Sequence, residues 1–281
     1  IEEKTEGKYQ ADGVTCISLE ELRGIKIDEI TEKLLKVENF GKVVVNAVDY
    51  CDLKVFVIAL YKAMEQGKNF MFRVAAAIVK VIGGISDQPL LTRKDMVVKE
   101  TKNGGIIVVG SHTQKTTSQV EELKKLKDLV FMEFDSDLVL DEAAFQKEIE
   151  NTLKTEEELI SSGKTVVVYT KRKLLVVEND TKEDALIRSV KISDAVQSLV
   201  GKLKVTPAFV IAKGGITSSD VGTKALQVRK ANVLGQICPG IPVWQTGAES
   251  KFPMIPYIIF PGNVGEVTTL KEAVEILLNR K

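Results

Sequence analysis

Short runs of consecutive apolar β-forming residues recur along the chain, and helical periods separate them. Two such runs are IIVV at 106–109 and TVVVY at 165–169. A strand with one face in water alternates apolar and polar residues, whereas a strand buried on both faces does not. Buried strands that alternate with helices form parallel sheets, because a crossover helix must return the chain to the start of the next strand. The sequence therefore predicts an α/β fold of mainly parallel sheets covered by helices on both faces.

The alternation of strands and helices is interrupted once. Between residues 83 and 105, glycine, proline and charged residues replace the periodic pattern. Such a composition is typical of a linker. We therefore predict a first domain in residues 1–84, a connector or hinge in residues 85–104, and a second domain in residues 105–281. The length of 281 residues is sufficient for two domains.

The charge and cysteine content argue against several classes of protein. Lys and Arg together number 39, as do Asp and Glu, so the net charge indicates neither a nucleic acid nor an acidic membrane as partner. Cys16, Cys51 and Cys238 are far apart and odd in number, which favours a reducing compartment, the cytoplasm, over a disulfide framework. No run approaches the roughly 20 apolar residues that a membrane span needs.

The single histidine, His112, restricts the catalytic chemistry. A Ser-His-Asp triad would have to be built around it, and a metal site with several histidines is excluded. A metal held by carboxylates, or one carried in by a nucleotide, stays compatible with the sequence.

Three predicted strands end in sequences suited to a ligand. In open parallel sheets, ligands bind beyond the carboxyl ends of the strands, at helix N-termini. Gly110 and Ser111 end the predicted strand at 105–111; Gly110 permits close approach to the backbone, and Ser111 can donate to a phosphate oxygen. A purely structural interpretation is also open, in which Thr116 and Gln119 form a capping box.

The second of these sequences is GGITSSD at 214–220. Gly214 and Gly215 leave the backbone open, and the free N–H groups of the first helical turn, from Ile216 onward, would point at an anion. The structural alternative is a capping box formed by Thr217 and Asp220. The stretch is neither a Walker A loop nor a GxGxxG fingerprint, and the latter absence argues against a nicotinamide-dependent dehydrogenase.

The third sequence is FPGNVG at 260–265, in which Gly262 follows an apolar strand. A tight turn is the default here, because Asn and Gly tolerate positive φ. The only tryptophan, Trp244, lies nearby in the sequence, and we interpret it as a packing residue rather than as a platform for adenine.

Two charged residues stand out in the first half of the chain. Asp52 precedes a helical pattern and is predicted to be its N-cap. Arg73 ends a predicted strand at 69–74, so we expect it to be partly buried and paired with a protein carboxylate or an acidic ligand.

Several segments, in this order, resemble the four-carbon acid sugar kinase family (3-oxotetronate, threonate and erythronate kinases), long catalogued as a domain of unknown function. The matching segments are FRVAAAIVKVIGG (72–84), VVGSHTQKTTSQVEEL (108–123), AKGGITSSDVGTKAL (212–226), GQICPGIPVWQTGAES (235–250) and YIIFPGNVG (257–265). The resemblance implies phosphorylation of a hydroxyl of a small acid sugar by ATP and Mg²⁺. It also implies that Arg73 lies on the acid-sugar side of the cleft, and that ATP contacts Ser111, Gly214, Gly215, Ile216, Thr217 and Gly262.

The chain departs from that family at one point. Members begin with an aspartate-rich motif of the DDxTGA kind, thought to contribute to substrate binding and catalysis, and this sequence starts after that point. We therefore expect residues 1–84 to be an incomplete sugar-binding domain, or one completed by an upstream fragment or a second copy. We name no catalytic base. The leading function is an ATP-dependent acid sugar kinase, present as a fragment that lacks the acidic motif. The alternative is an inactive module that binds a nucleotide or a sugar phosphate.

Overall fold

The structure, a computed structural model, describes residues 1–279. The chain divides into two compact units, Ile1–Gln88 and Pro89–Lys281. Across the described residues, no helix combines the length and apolar character that crossing a membrane requires.

The first unit contains two short parallel strands and four helices. Strand β1 (Thr15–Ile17) pairs with β2 (Val43–Val45). The helices are α1 (Leu19–Arg23), α2 (Ile27–Leu35), α3 (Tyr50–Glu65) and α4 (Ala76–Ile82), and short 3₁₀ turns occupy Glu3–Thr5 and Ala11–Gly13. The core lies where the helices pack on the strands, and its fully buried members include Ile17, Leu22, Ile30, Leu34 and Leu60.

Two expectations for the first unit are wrong. The segment at 69–74 forms no strand in the described structure, and Arg73 is exposed rather than partly buried. The apolar pattern of this segment misled the prediction, because a strand also needs a partner for its backbone groups. Helix α3 begins one turn earlier than predicted: Asp49 is the N-cap, and Asp52 is the third helical residue that completes a capping box with it.

The second unit is built on a sheet of seven strands. Its strands are β3 (Ile106–Val109), β4 (Leu129–Phe134), β5 (Thr165–Thr170), β6 (Val210–Lys213), β7 (Ala231–Cys238), β8 (Ile241–Thr246) and β9 (Pro256–Phe260). The order across the sheet is β4-β5-β3-β6-β9-β8-β7. The first five are parallel, and β8 and β7 continue the sheet antiparallel. The predicted mixed α/β fold with a mainly parallel sheet is confirmed.

Helices cover both faces of this sheet, which explains why its central strands do not alternate. They are α5 (Arg93–Met96), α6 (Gln114–Leu123), α7 (Glu142–Ser161), α8 (Lys182–Gly201), α9 (Gly215–Asp220), which runs on into a π-helical turn at Val221–Ala225, and α10 (Thr269–Leu277); a 3₁₀ turn spans Ser136–Leu140. Along β3, Ile106 and Val108 face the core formed with α7 and α8, whereas Ile107 and Val109 face the core formed with α6 and α10. Every residue of β3 is therefore buried.

Residues 89–104, within the segment interpreted as a connector, pack in the second unit. Met96 is fully buried in the core that α6 and α10 share, and the Leu91 amide donates to the Gln236 carbonyl at 2.8 Å. The function of this segment as a hinge stays a prediction.

Candidate functional site

The loops that follow β3, β6 and β9 lie side by side. These three strands are neighbours in the sheet and run parallel, so their carboxyl ends share one edge. These loops contain the three predicted ligand sequences: Gly110 to Thr113 after β3, Gly214 to Thr217 after β6, and Pro261 with Gly262 after β9. The Gly214 amide donates to the Phe260 carbonyl at 2.9 Å and fastens the second loop to the third.

Glycines allow these loops to touch. A Cβ added to Gly110 would stand 2.3 Å from the Oγ1 of Thr217. A Cβ on Gly262 would stand 3.3 Å from the Oγ of Ser111. Gly214 has a φ of 128°, a backbone conformation that residues with side chains rarely adopt, and its Cβ would meet Thr217 and Ser111 within 3.3 Å. The structure therefore brings together Gly110, Ser111, Gly214, Thr217 and Gly262.

The start of α9 is not capped in the predicted way. The helix begins at Gly215 directly after the turn at Gly214, so Thr217 lies inside its first turn, and no described side chain caps the helix. The carboxylate of Asp220 accepts instead from the hydroxyl of Ser193 at 2.8 Å. The predicted Thr217–Asp220 capping box is therefore wrong, because Gly214 turns the chain three residues earlier than expected. The N–H groups of Gly215 and Ile216, both exposed residues, remain available to an anion.

The capping box predicted for α6 is also wrong, because the helix begins at Gln114 with Thr113 as its N-cap. Thr116 and Gln119 instead connect α6 to the loop after β9. The Thr116 hydroxyl lies 3.1 Å from the Oγ of Ser111 and 3.2 Å from the Gly262 carbonyl oxygen. The amide of Gln119 donates to the carbonyls of Val264 and Glu266.

The β5 end contributes Arg172, which holds the first loop. Its guanidinium donates to the Ser111 carbonyl and, at 3.2 Å, to the Thr117 hydroxyl. The ring of His112 lies 3.3 Å from the hydroxyl of Thr170. Burial lowers the pKa of His112, and the charge of Arg172 lowers it further, so the ring is neutral at physiological pH.

The site contains three basic side chains that donate to backbone carbonyls. Lys213, the last residue of β6, is fully buried and donates to Pro261 at 2.6 Å and Gly262 at 3.1 Å. Lys115 donates to Gly265, and Arg172 to Ser111. Within residues 1–279, none of the three has a carboxylate oxygen within 4.0 Å. Burial lowers the pKa of Lys213 to about 8, and the charge of Lys115 adds to the effect.

Lys213 and Arg172 were not predicted from the sequence. For Lys213 the signal was present: PAFVIAK is an apolar strand that ends in a lysine, and a charge there needs partners. Arg172 follows β5 at the same edge, but only the sheet order reveals that it reaches the loop after β3. Trp244 packs edge-on against the ring of Tyr257, with centroids 6.1 Å apart, at the border of the core.

No cluster of three or more metal-binding side chains (His, Cys, Asp or Glu) occurs in the part of the chain that the structure describes. A metal ion at the strand ends would therefore need ligands other than such a cluster, for example phosphate oxygens.

The comparisons with known proteins concern the second unit and the fold. A family model described as a nucleotide-binding C-terminal domain matches residues 106–270, more than half of the chain. This match includes all three loops. A comparison with curated proteins returned no match.

Two solved structures share the fold. One is a proposed tRNA synthase from Salmonella typhimurium LT2, at 16% identity and a TM-score of 0.59, covering 92% of this chain and 59% of that one. The other is a domain of unknown function (DUF1537) from Bordetella bronchiseptica with bound citrate, a domain-swapped dimer, at 15% identity and a TM-score of 0.50, covering 94% of this chain and 58% of that one. This chain thus spans less than two thirds of either structure.

Proposed function

The chain belongs to the family of the nucleotide-binding C-terminal domain, and on this premise we propose that the loops after β3, β6 and β9 bind the phosphates of ATP. The N–H groups at the start of α9 and the hydroxyl of Ser111 would donate to the phosphate oxygens. Gly110, Gly214 and Gly262 would let the phosphates approach the backbone. Ile216 and Thr217 would contribute their backbone groups.

The observation that carries this proposal is the unpaired positive charge at the site. Lys115, Arg172 and Lys213 have only neutral carbonyl and hydroxyl acceptors among the described residues. Buried or clustered cations are normally balanced by carboxylates. A polyphosphate would supply the missing negative charge, and the glycines leave room for it at the same place.

We further propose that Mg²⁺ arrives bound to the nucleotide. Mg²⁺ commonly keeps several waters and binds through substrate phosphates together with one or two carboxylates. When bound, it would neutralise charge that develops on the transferred phosphoryl group. The residues of this chain would hold the triphosphate and exclude water around it.

The proposed reaction is the phosphorylation of a hydroxyl of a four-carbon acid sugar. The sequence resemblance to acid sugar kinases supports it, as does the citrate bound to the Bordetella protein, because citrate is also a small organic acid. On this proposal Arg73 binds the acid sugar, and the chain forms homo-oligomers. The alternative, an inactive module for a nucleotide or a sugar phosphate, predicts binding without turnover.

We expect Gly215→Asp to weaken the binding of Mg-ATP about tenfold or more, since it places a carboxylate where the phosphates would lie. A Cβ at Gly215 meets no described atom within 4 Å, and its φ is not positive, so the variant should fold normally. Isothermal titration calorimetry with Mg-ATP measures the change.

The matched control is Ser219→Asp, which adds the same charge at an exposed position one turn further along α9. It should leave the affinity for Mg-ATP within about twofold of the wild-type value, because the electrostatic effect of the helix N-terminus falls off within the first turn. Equal affinities for wild type and Gly215→Asp would refute the phosphate role of this loop. A coupled assay with threonate, erythronate and 3-oxotetronate then separates the kinase from the inactive module.

A further inference from the structure

Lys213 is an unusual lysine because its ammonium group is buried without a counter-ion. Its side chain has no exposed surface, and its ammonium group donates to the carbonyls of Pro261 and Gly262. The ring of Phe260 lies beneath it, with the Nζ atom 4.4 Å from the ring centroid. Carbonyl dipoles and the face of an aromatic ring stabilise a cation, but a carboxylate would stabilise it more. The folded protein therefore holds this proton weakly, and the pKa of Lys213 falls to about 8.

The ammonium group of Lys213 lies one peptide away from the meeting point of the three loops. It donates to the Gly262 carbonyl, and a Cβ on Gly262 would stand 3.9 Å from the Cα of Gly214 and 3.3 Å from the Oγ of Ser111. An anion at this point would attract the charge of Lys213 through the protein interior, where solvent and salt screen the attraction only weakly.

The groups that act on Lys213 from the surrounding elements are few. Among the titratable groups in residues 1–279, Lys115 on α6 is the one whose charge affects it, and the effect is repulsive. The elements β9 and the loop after it contribute the Phe260 ring and carbonyls, and no carboxylate lies within 4.0 Å of the Nζ atom in that same range. Among these described groups, none offsets the positive charge of Lys213.

We propose that phosphates bound at the three loops complete the charge balance of Lys213, so that the nucleotide binds together with a proton. The inference rests on the proposed nucleotide site and assigns Lys213 a positioning role in it. In its charged form, Lys213 fixes the two carbonyls that shape the loop after β9. A shift of about two units, within the range that a nearby opposite charge produces, would keep Lys213 protonated to about pH 10 in the bound complex.

Proton uptake follows from these values. Free protein with a pKa of about 8 is mostly protonated at pH 7 and about one quarter protonated at pH 8.5. Binding of Mg-ATP should take up about 0.1 proton at pH 7 and about 0.7 proton at pH 8.5, with the affinity falling about fourfold between them. A phosphate whose last pKa is about 6 is about one tenth protonated at pH 7 and almost fully ionised at pH 8.5, so the uptake at pH 8.5 is the value that reports on Lys213.

The experiment is calorimetry of Mg-ATP binding at pH 7 and 8.5, each in two buffers of different ionisation enthalpy, which gives the number of protons taken up. Lys213→Met should abolish the uptake and the pH dependence of the affinity. Lys213→Arg keeps the charge and cannot lose it, so it should abolish the uptake and retain binding at pH 8.5.

The outcomes separate this inference from the proposed function. Wild-type protein that binds Mg-ATP with no more proton uptake at pH 8.5 than at pH 7 overturns the role of Lys213 and leaves the nucleotide site intact. Equal uptake in wild type and Lys213→Met overturns it as well. Wild-type protein that binds no Mg-ATP at either pH overturns the proposed function, and the inference with it.

Discussion

Gly110→Ala should lower the free energy of unfolding by about 2–3 kcal/mol, the upper part of the usual range of about 1–3 kcal/mol for overpacking. The added Cβ would stand 2.3 Å from the Oγ1 of Thr217, far inside the contact distance of the two atoms. The backbone of Gly110 does not require glycine, since its φ is not positive. The destabilisation therefore measures how tightly the loop after β3 packs on α9. Urea denaturation at pH 7, followed by circular dichroism, gives the value.

A second substitution tests the mechanism of this effect. Thr217→Ala removes the Oγ1 atom and leaves the Thr217 Cβ, which stands 3.4 Å from the added Cβ. The double variant Gly110→Ala, Thr217→Ala should therefore be about as stable as Thr217→Ala alone. Gly215→Ala is the matched control, because it adds the same methyl group where no described atom lies within 4 Å. Additive losses in the double variant would contradict the close contact of the two loops.

The fold was predictable because a strand that is buried on both faces has consecutive apolar residues instead of an alternating pattern. The run IIVV of β3 has no polar residue, and each of its side chains is buried in one of the two cores. The sequence also predicts helical periods at 141–163, as one helix or two, and at 182–203, and α7 and α8 lie within these ranges. The prediction of a strand at 69–74 was wrong, because an apolar pattern does not reveal whether a neighbouring strand is available for pairing.

The location of the site was predictable, but its internal contacts were not. Gly110, Gly214 and Gly262 each follow a predicted strand, and the rule for parallel sheets places such residues at one edge. The contact between Gly110 and Thr217 depends on where α9 begins, and Gly214 shifts that start through its positive φ. The capping patterns at Thr116 and Thr217 indicated that each hydroxyl would cap its own helix. In the structure, both side chains lie against a neighbouring loop instead.

Glu156 is the most costly polar group in the core of the second unit. It lies on the buried face of α7 with no exposed surface, and neither carboxyl oxygen has a hydrogen-bond partner among the described residues. Burial raises the pKa of Glu156 well above its usual value, and the neighbouring charge of Glu157 adds to the shift. None of the described contacts of the three loops involves Glu156, so its substitution tests stability rather than the proposed nucleotide binding.

Glu156→Met should raise the free energy of unfolding by about 1–3 kcal/mol at pH 8, the desolvation cost of a buried polar group without a hydrogen-bond partner. Because the pKa is raised in the folded state, the folded protein binds more protons than the unfolded chain above pH 4.5. Wild-type stability therefore falls as the pH rises through this window, and the variant lacks that loss. The advantage of the variant should thus be larger at pH 8 than at pH 4.5 in urea titrations.

The control for this prediction is Glu150→Met, the same change at an exposed position of α7. Surface substitutions away from caps, cores and ion-pair networks usually change stability little, so this one should alter it by less than about 0.5 kcal/mol at both pH values. An advantage of Glu156→Met that is equal at pH 4.5 and pH 8 would mean that Glu156 is ionised in the folded protein. Its charge would then need a partner that the described contacts do not supply, because an unpaired carboxylate in the core between α7 and the sheet would be too unfavourable to persist.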